Sequence, residues 1–245
     1  MKIIKLNAID STNSYLKENA IKNNLESYTI VVADKQTSGR GQLGTVWESD
    51  LGKNLTFSVL VKFVDFEITR QFYLSMAVAL GVLAALKNKW DTKYYIKWPN
   101  DILADKDKIA GILIENSISG NFIKNTVIGI GLNVNQISFS KEIENVTSLK
   151  KISGIDFDRD QLLLDLINSI ASYIKYIDAK KFSQLKMEYM NLLFKYQIPA
   201  MFIDNKDLVF IGKIIDVSAE GQLVVELENE KTRKFNLKEI KFASR

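Results

Sequence analysis

Arg40 lies between two glycines in the run Gln36-Thr37-Ser38-Gly39-Arg40-Gly41-Gln42-Leu43-Gly44-Thr45-Val46-Trp47, which a third glycine and a tryptophan complete. Glycine lets a backbone approach a ligand and turn its N–H groups toward an anion. Arginine adds a planar, permanent cation. Further on, Lys97-Trp98-Pro99-Asn100-Asp101 groups an ammonium, an amide and a carboxylate, and Lys108 follows. Gly129-Ile130-Gly131-Leu132-Asn133 sets two glycines inside an apolar run, a pattern that marks close approach of a ligand or another backbone. Upstream, Ser11-Thr12-Asn13 places two hydroxyls and an amide at a helix start, where free N–H groups can receive a polar head group. Each group also has a plainer reading. Ser11 to Asn13 make ordinary caps, Asn100-Asp101 is common turn chemistry, and a turn lysine is usually solvated. The residues alone leave both readings open.

What the chain lacks bounds the chemistry. Its 245 residues include no cysteine and no histidine. Disulfides, thiolate ligands, cysteine nucleophiles, Ser-His-Asp triads and imidazole metal ligands are therefore excluded. Lysine, arginine, carboxylates, amides, hydroxyls and backbone N–H groups remain, a set suited to neutralising phosphates and carboxylates. The formal net charge of +4 agrees with an anionic ligand or acidic partner. Gly39 to Gly44 matches GxGxxG literally, but Asp50 and Gly52 follow without a helical period, so the dinucleotide reading is rejected; no GxxxxGK[ST] loop occurs.

The elements that must hold these groups follow from periodicity. Lys2 to Leu6 reads as a strand, and a helix runs from the Ser11–Asn13 caps to Lys22. Tyr28 to Ala33 and Asn54 to Phe63 read as strands on either side of the glycine loop, the second half-buried by its alternation. A helix from about Thr69 to Lys89 is apolar most of the way round, as befits one lying across a sheet. Tyr94 to Trp98 is a short strand, Ile102–Ala104 and Ile109–Glu115 a hairpin, and Phe122 to Asn135 a long strand. Helices are expected over 159–176 and 180–194. From Ile198 the runs 200–203, 208–217, 222–228 and 232–236 suggest a small barrel. A domain boundary is placed near Tyr196–Pro199, giving units 1–196 and 197–245. The most apolar run, Phe72 to Leu86, is shorter than the roughly 20 residues of a membrane span. Met1 to Leu6 is not followed by the apolar run of a signal peptide. A cytoplasmic protein with no membrane partner is expected.

Taken together, Ser11-Thr12-Asn13, Gln36, Gly39-Arg40-Gly41, Trp47, Lys97-Trp98-Pro99-Asn100-Asp101, Lys108 to Glu115 and Gly129 to Asn133 resemble the motifs of the biotin protein ligases (biotin–[biotin carboxyl carrier protein] ligases). The resemblance covers essentially the whole chain. It implies an α+β fold: a mixed β-sheet flanked by helices, of the class II aminoacyl-tRNA-synthetase-like biotin/lipoate ligase type, plus a small C-terminal SH3-like β-barrel. It implies an enzyme that activates biotin with ATP and Mg²⁺ as biotinyl-5′-AMP, then transfers biotin to a lysine of a biotin carboxyl carrier protein. By the same resemblance, Lys108, Arg40 and Asp101 are catalytic. Ser11, Thr12, Asn13, Gln36, Gly39, Arg40, Gly41, Gln42, Lys108, Gly111, Gly129 and Gly131 bind biotin. Trp47, Lys97, Asn100 and Asn133 bind the nucleotide, with Mg²⁺ carried on its phosphates. Gln42 stands where many family members have arginine. No helix-turn-helix precedes the first strand, so the implied form is a ligase without a DNA-binding domain, binding no specific DNA, as a monomer or homodimer. The alternatives are a lipoate- or octanoyl-transferring relative and a nucleic-acid-binding module; against the latter, no basic tract interleaved with aromatics is present.

Overall fold

The computed structural model describes residues 1–87 and 92–243. Strand β1 (Lys2–Ile9), helix α1 (Thr12–Lys22) and strand β2 (Thr29–Gln36) form a crossover unit whose strands run parallel, Ile3 opposite Ile30. Strand β3 (Leu55–Lys62) returns antiparallel to β2. The glycine loop joins them and contains one 3-10 turn, Gln42–Gly44. After helix α2 (Gln71–Lys87) come β4 (Tyr94–Lys97), β5 (Asp101–Ala104), β6 (Asp107–Ser119) and β7 (Phe122–Leu132). The seven strands lie in the order β1-β2-β3-β7-β6-β5-β4. Helices α3 (Leu149–Ser153), α4 (Arg159–Asp178) and α5 (Phe182–Asn191) follow. A second, antiparallel sheet is built from β8 (Pro199–Asp204), β9 (Val209–Val217), β10 (Leu223–Leu227), β11 (Thr232–Phe235) and β12 (Ile240–Phe242), in the order β11-β10-β9-β8-β12. The mixed sheet flanked by helices and the small β-unit of the SH3-like type agree with expectation.

Why the helices lie where they do follows from their apolar faces. Helix α2 is buried on nearly every side, so it fills the space between the sheet and α4. The stretch Ile68–Lys87 is long and apolar enough to cross a bilayer, yet 61% of its most apolar window is buried inside the fold. Its expected end at Lys89 lies outside the described residues. Helix α1 covers the opposite face, with Leu16 packed against Val31, Leu60 and Val127. This changes the reading of β3. Alternation suggested one solvated face, but Thr56 and Ser58 are buried as fully as Phe57 and Val59. Thr56 and Ser58 face α1 and the glycine loop rather than water, while Lys62 at the strand's end is exposed.

The second sheet is held against the first by specific contacts. Trp98 Nε1 donates to the Gly221 carbonyl at 2.9 Å, Phe194 meets Phe242 edge-on at 5.7 Å, and Lys186 pairs with Asp216 at 2.8 Å. Helix α3 and strand β12, of five and three residues, are too short to show a period in the sequence.

Candidate active site

The pleat sets the floor. Register places Thr56 and Ser58 of β3 opposite Gly131 and Gly129 of β7, and these opposite Gly111 and Leu113 of β6. Side chains alternate across a strand, so these positions share one face of the sheet. The two β7 glycines are required by close approach. A Cβ on Gly129 would run into Asn13 Oδ1, and one on Gly131 into the Trp47 ring. A side chain from α1 and one from the glycine loop thus rest directly on bare backbone. Above this floor lies a cavity of about 740 Å³, within the usual size of small-molecule sites.

One wall is a polar network at the start of α1. Ser11 caps the helix, its Oγ accepting from Ser14 N–H at 3.5 Å. Thr12 N–H donates to Gln36 Oε1 at 2.8 Å and Thr12 Oγ1 lies 3.1 Å from the same oxygen. This fixes the amide, because only its oxygen can receive an N–H, and directs Gln36 Nε2 elsewhere. Ser58 Oγ donates to Asn13 Oδ1 at 2.6 Å and lies 2.8 Å from Thr12 Oγ1. Asn13 Nδ2 in turn donates to Glu115 Oε2 at 2.9 Å. Ser11, Thr12, Asn13 and Ser58 are each 3% exposed or less. Ser11 thus caps the helix and, with Thr12 and Asn13, also lines the cavity.

Two of the site's cations are paired. Lys108 Nζ lies 2.7 Å from Asp101 Oδ1, and Arg40 Nη2 lies 2.7 Å from Glu115 Oε2. Burial pushes the Glu115 carboxyl up, but the Asn13 hydrogen bond and the charges of Arg40 and Lys17 outweigh it and hold the group below its ordinary value. Lys108 sits 5.6 Å from the Trp47 ring centroid, within cation–π range. Lys97 reaches the cavity from the end of β4 and forms no ion pair among the described residues. Trp47 Nε1 is buried without a hydrogen-bond partner among the described residues. A ligand acceptor placed there would satisfy it.

The glycine loop closes on itself before it closes on anything else. Gly41 N–H donates to Thr45 O at 2.7 Å, and Trp47 N–H to Gly39 O at 3.0 Å. Leu43 adopts φ 51° at the tip, and its carbonyl accepts from Lys238 Nζ at 2.8 Å. Lys238 follows β11 in the small sheet, which supplies the far wall of the cavity together with Phe202, Leu237 and Lys241.

Most expected site residues meet here. Ser11, Thr12, Asn13, Gln36, Arg40, Gly41, Gln42, Trp47, Lys97, Asn100, Asp101, Lys108, Gly111, Gly129 and Gly131 all line the cavity. Two do not. Gly39 lies behind the loop, where a Cβ would strike the Trp47 carbonyl. Asn133 is buried past the end of β7, its Nδ2 donating to Thr147 O at 3.0 Å. Asn100 lines the cavity, but its Nδ2 is engaged with Ile112 O at 2.8 Å, which straps the β4–β5 turn to β6. Sequence reasoning gave no role to Ser58, Glu115 or Lys238. Ser58 looked like a solvated strand residue, and only the register with Gly129 reveals it. Glu115 had a signal, a lone carboxylate ending an apolar strand. Lys238 had none.

A family model described as the biotin/lipoate A/B protein ligase family matches residues 6–133. The chain is 31% identical over 231 residues to the bifunctional ligase/repressor BirA of Bacillus spizizenii, covering 92% of this chain and 70% of that protein. It is 30% identical over 224 residues to the biotin–[acetyl-CoA-carboxylase] ligase of Mycobacterium tuberculosis, covering 89% and 80%. Among solved structures, the biotin protein ligase of Aquifex aeolicus in complex with biotin and ATP superimposes with a TM-score of 0.80 at 29% identity, over 99% of both chains.

Proposed function

The chain belongs to the biotin/lipoate A/B protein ligase family, and from that premise we propose that it activates biotin with ATP as biotinyl-5′-AMP and then transfers biotin to one lysine of a carboxylase's biotin carboxyl carrier domain. The observation that carries this reading is the meeting of three cations, Arg40, Lys97 and Lys108, with the Gln36–Thr12–Asn13 pocket in one cavity under the glycine loop. In the first step a biotin carboxylate oxygen attacks the α-phosphorus of ATP, the bond to the β-phosphate oxygen breaks, and pyrophosphate leaves. Both reactants are anions and repel each other. Lys108 and Arg40 offset that repulsion and stabilise charge on the phosphoryl oxygens as the bond forms. In the second step the carrier lysine amine attacks the acyl carbon, a proton is lost, and AMP departs.

The pocket and the ring fit the remaining parts of the ligand. Gln36 Nε2, turned away from Thr12, suits a ureido carbonyl, and Ser11 and Thr12 lie beside it. Trp47 suits the adenine or its linkage, with Nε1 free to donate. The mixed anhydride hydrolyses readily, so a loop that excludes water protects it. Mg²⁺ in this reading would be carried on nucleotide phosphates, where it would neutralise their charge. Residues 1–196 form the catalytic unit and 197–245 a small β-unit that walls its cavity. The test is to incubate the protein with biotin, ATP, Mg²⁺ and a carrier domain and weigh the carrier. A gain of one biotinyl group is expected. An unchanged mass with biotin, or a gain only when lipoate replaces biotin, would overturn the reading.

A further inference from the structure

Glu115 takes no part in the chemistry above, yet its carboxylate joins two segments that the ligand site depends on. Its side chain, 19% exposed, lies on the same face of β6 as Gly111. Oε2 accepts from Arg40 Nη2 at 2.7 Å and from Asn13 Nδ2 at 2.9 Å. Oε1 lies 3.5 Å from Arg40 Nη1 and 3.4 Å from Lys17 Nζ. Arg40 belongs to the glycine loop; Asn13 and Lys17 lie one turn apart on α1. The far end of Asn13 is engaged with Ser58, which neighbours Thr12, which holds Gln36. An unbroken line of polar contacts therefore runs from Gln36 to Arg40, both of which line the cavity.

We infer that Glu115 is a positioning residue: it fixes the Arg40 guanidinium against the first turn of α1, so that the loop cation and the polar pocket are set as one unit. The loop's other bonds are mostly within itself, and a chain rich in glycine has many conformations to choose from. A charge-assisted, two-pronged contact from a half-buried carboxylate restricts that choice more than a solvated pair does. Arg40 is held at one edge of its guanidinium, which leaves its remaining N–H groups for an arriving anion. The contact does not depend on the proposed reaction, but its effect on turnover rests on that reading.

Glu115→Gln keeps an acceptor for Asn13 and removes the charge that holds Arg40. Tryptic cleavage of the Arg40–Gly41 bond in ligand-free protein, followed by mass spectrometry, is expected to run about fivefold faster in this variant than in wild type at equal melting temperature. In pyrophosphate release driven by biotin and ATP, Glu115→Gln is expected to lower kcat about tenfold. Because it acts through Arg40, adding it to Arg40→Gln should change the rate by no more than about twofold. Cleavage at the wild-type rate, or multiplying effects in the double variant, overturns the assignment. If Glu115→Gln does not fold, Glu115→Asp, charged but too short to span both partners, is read in the same assays. Wild-type cleavage and turnover in that variant would equally overturn it. Wild-type protein that releases no pyrophosphate sinks the proposed function instead, while the tryptic comparison, which needs no substrate, still decides the role of Glu115.

Discussion

Lys108 and Asp101 face each other at 2.7 Å with side chains 36% and 22% exposed. A pair this open contributes about 1 kcal/mol or less to folding once solvent screening is counted. Lys108→Ala is therefore expected to melt close to wild type. Its pyrophosphate release is expected to fall about 10²–10³-fold, the loss typical of one charge-stabilising donor. Wild-type release from a folded variant would remove Lys108 from the reaction. Glu115 permits a sharper test through pH. Its carboxyl is held low because the Asn13 hydrogen bond and the Arg40 and Lys17 charges outweigh its burial. A group whose folded value is depressed contributes stability above its ordinary, unfolded value, and the contribution disappears as pH falls through the folded value. The Arg40 contact is thus expected to persist as acid is added until pH drops below the ordinary glutamate range. Hydrogen exchange of the loop amides at a series of pH values measures this, and a loss of protection already near pH 6 would contradict it.

At the scale of elements, β7 offers two similar glycines with different neighbours. A methyl on Gly129 meets Asn13, which Ser58 and Glu115 lock in place. A methyl on Gly131 meets Trp47, which rides on a loop. Gly129→Ala is expected to lose about 1–3 kcal/mol to overpacking, and Gly131→Ala clearly less, because the loop can lift. Urea unfolding of the two variants compares them; equal losses would mean that the loop is as rigid as the helix. This distinction marks the limit of what the sequence shows. The two glycines and Ser11 to Asn13 were visible in it, as were the helices with a clear apolar stripe, such as α4. What each glycine receives was not visible, since that depends on which strand lies opposite which. Ser58 was misread for the same reason: alternation shows that Thr56 and Ser58 share a face but not that α1 covers it. Asn133, expected at the nucleotide, lies off the cavity lining. It sits one residue beyond the strand's end, where the chain turns inward and its amide bonds to Thr147.

In the molecule as a whole, the small sheet forms a wall of the cavity, not an appendage. Trp98 Nε1 to Gly221 ties it to the strand end that carries Lys97 and Asp101, and Lys238 Nζ to Leu43 O ties it to the tip of the glycine loop. The second bond is exposed and adds little to global stability, within about 0.5 kcal/mol. Lys238→Met is therefore expected to leave the melting temperature unchanged while letting the proposed biotinyl-AMP intermediate escape. The measurement is the ratio of pyrophosphate released to biotin delivered to the carrier, which should rise above that of wild type; an unchanged ratio would show that the loop needs no hold from this side.

The segment that leads toward the small sheet has a further effect. Ile96 N–H donates to Leu192 O and Phe194 N–H to Ile96 O, both at 2.8 Å. At Ile96 the outer margin of β4 is thus already hydrogen-bonded to the protein's own chain. Sheets grow by recruiting strands at unpaired margins, which is how folded proteins polymerise by mistake. The other edge strand of the large sheet is β1, and Lys2 and Lys5 are spaced along it, Lys5 pairing with Asp160 at 2.7 Å. Lysines on such a frontier are a common deterrent to strand recruitment. A second chain that joined the large sheet along β1 would have to pass Lys2 and Lys5.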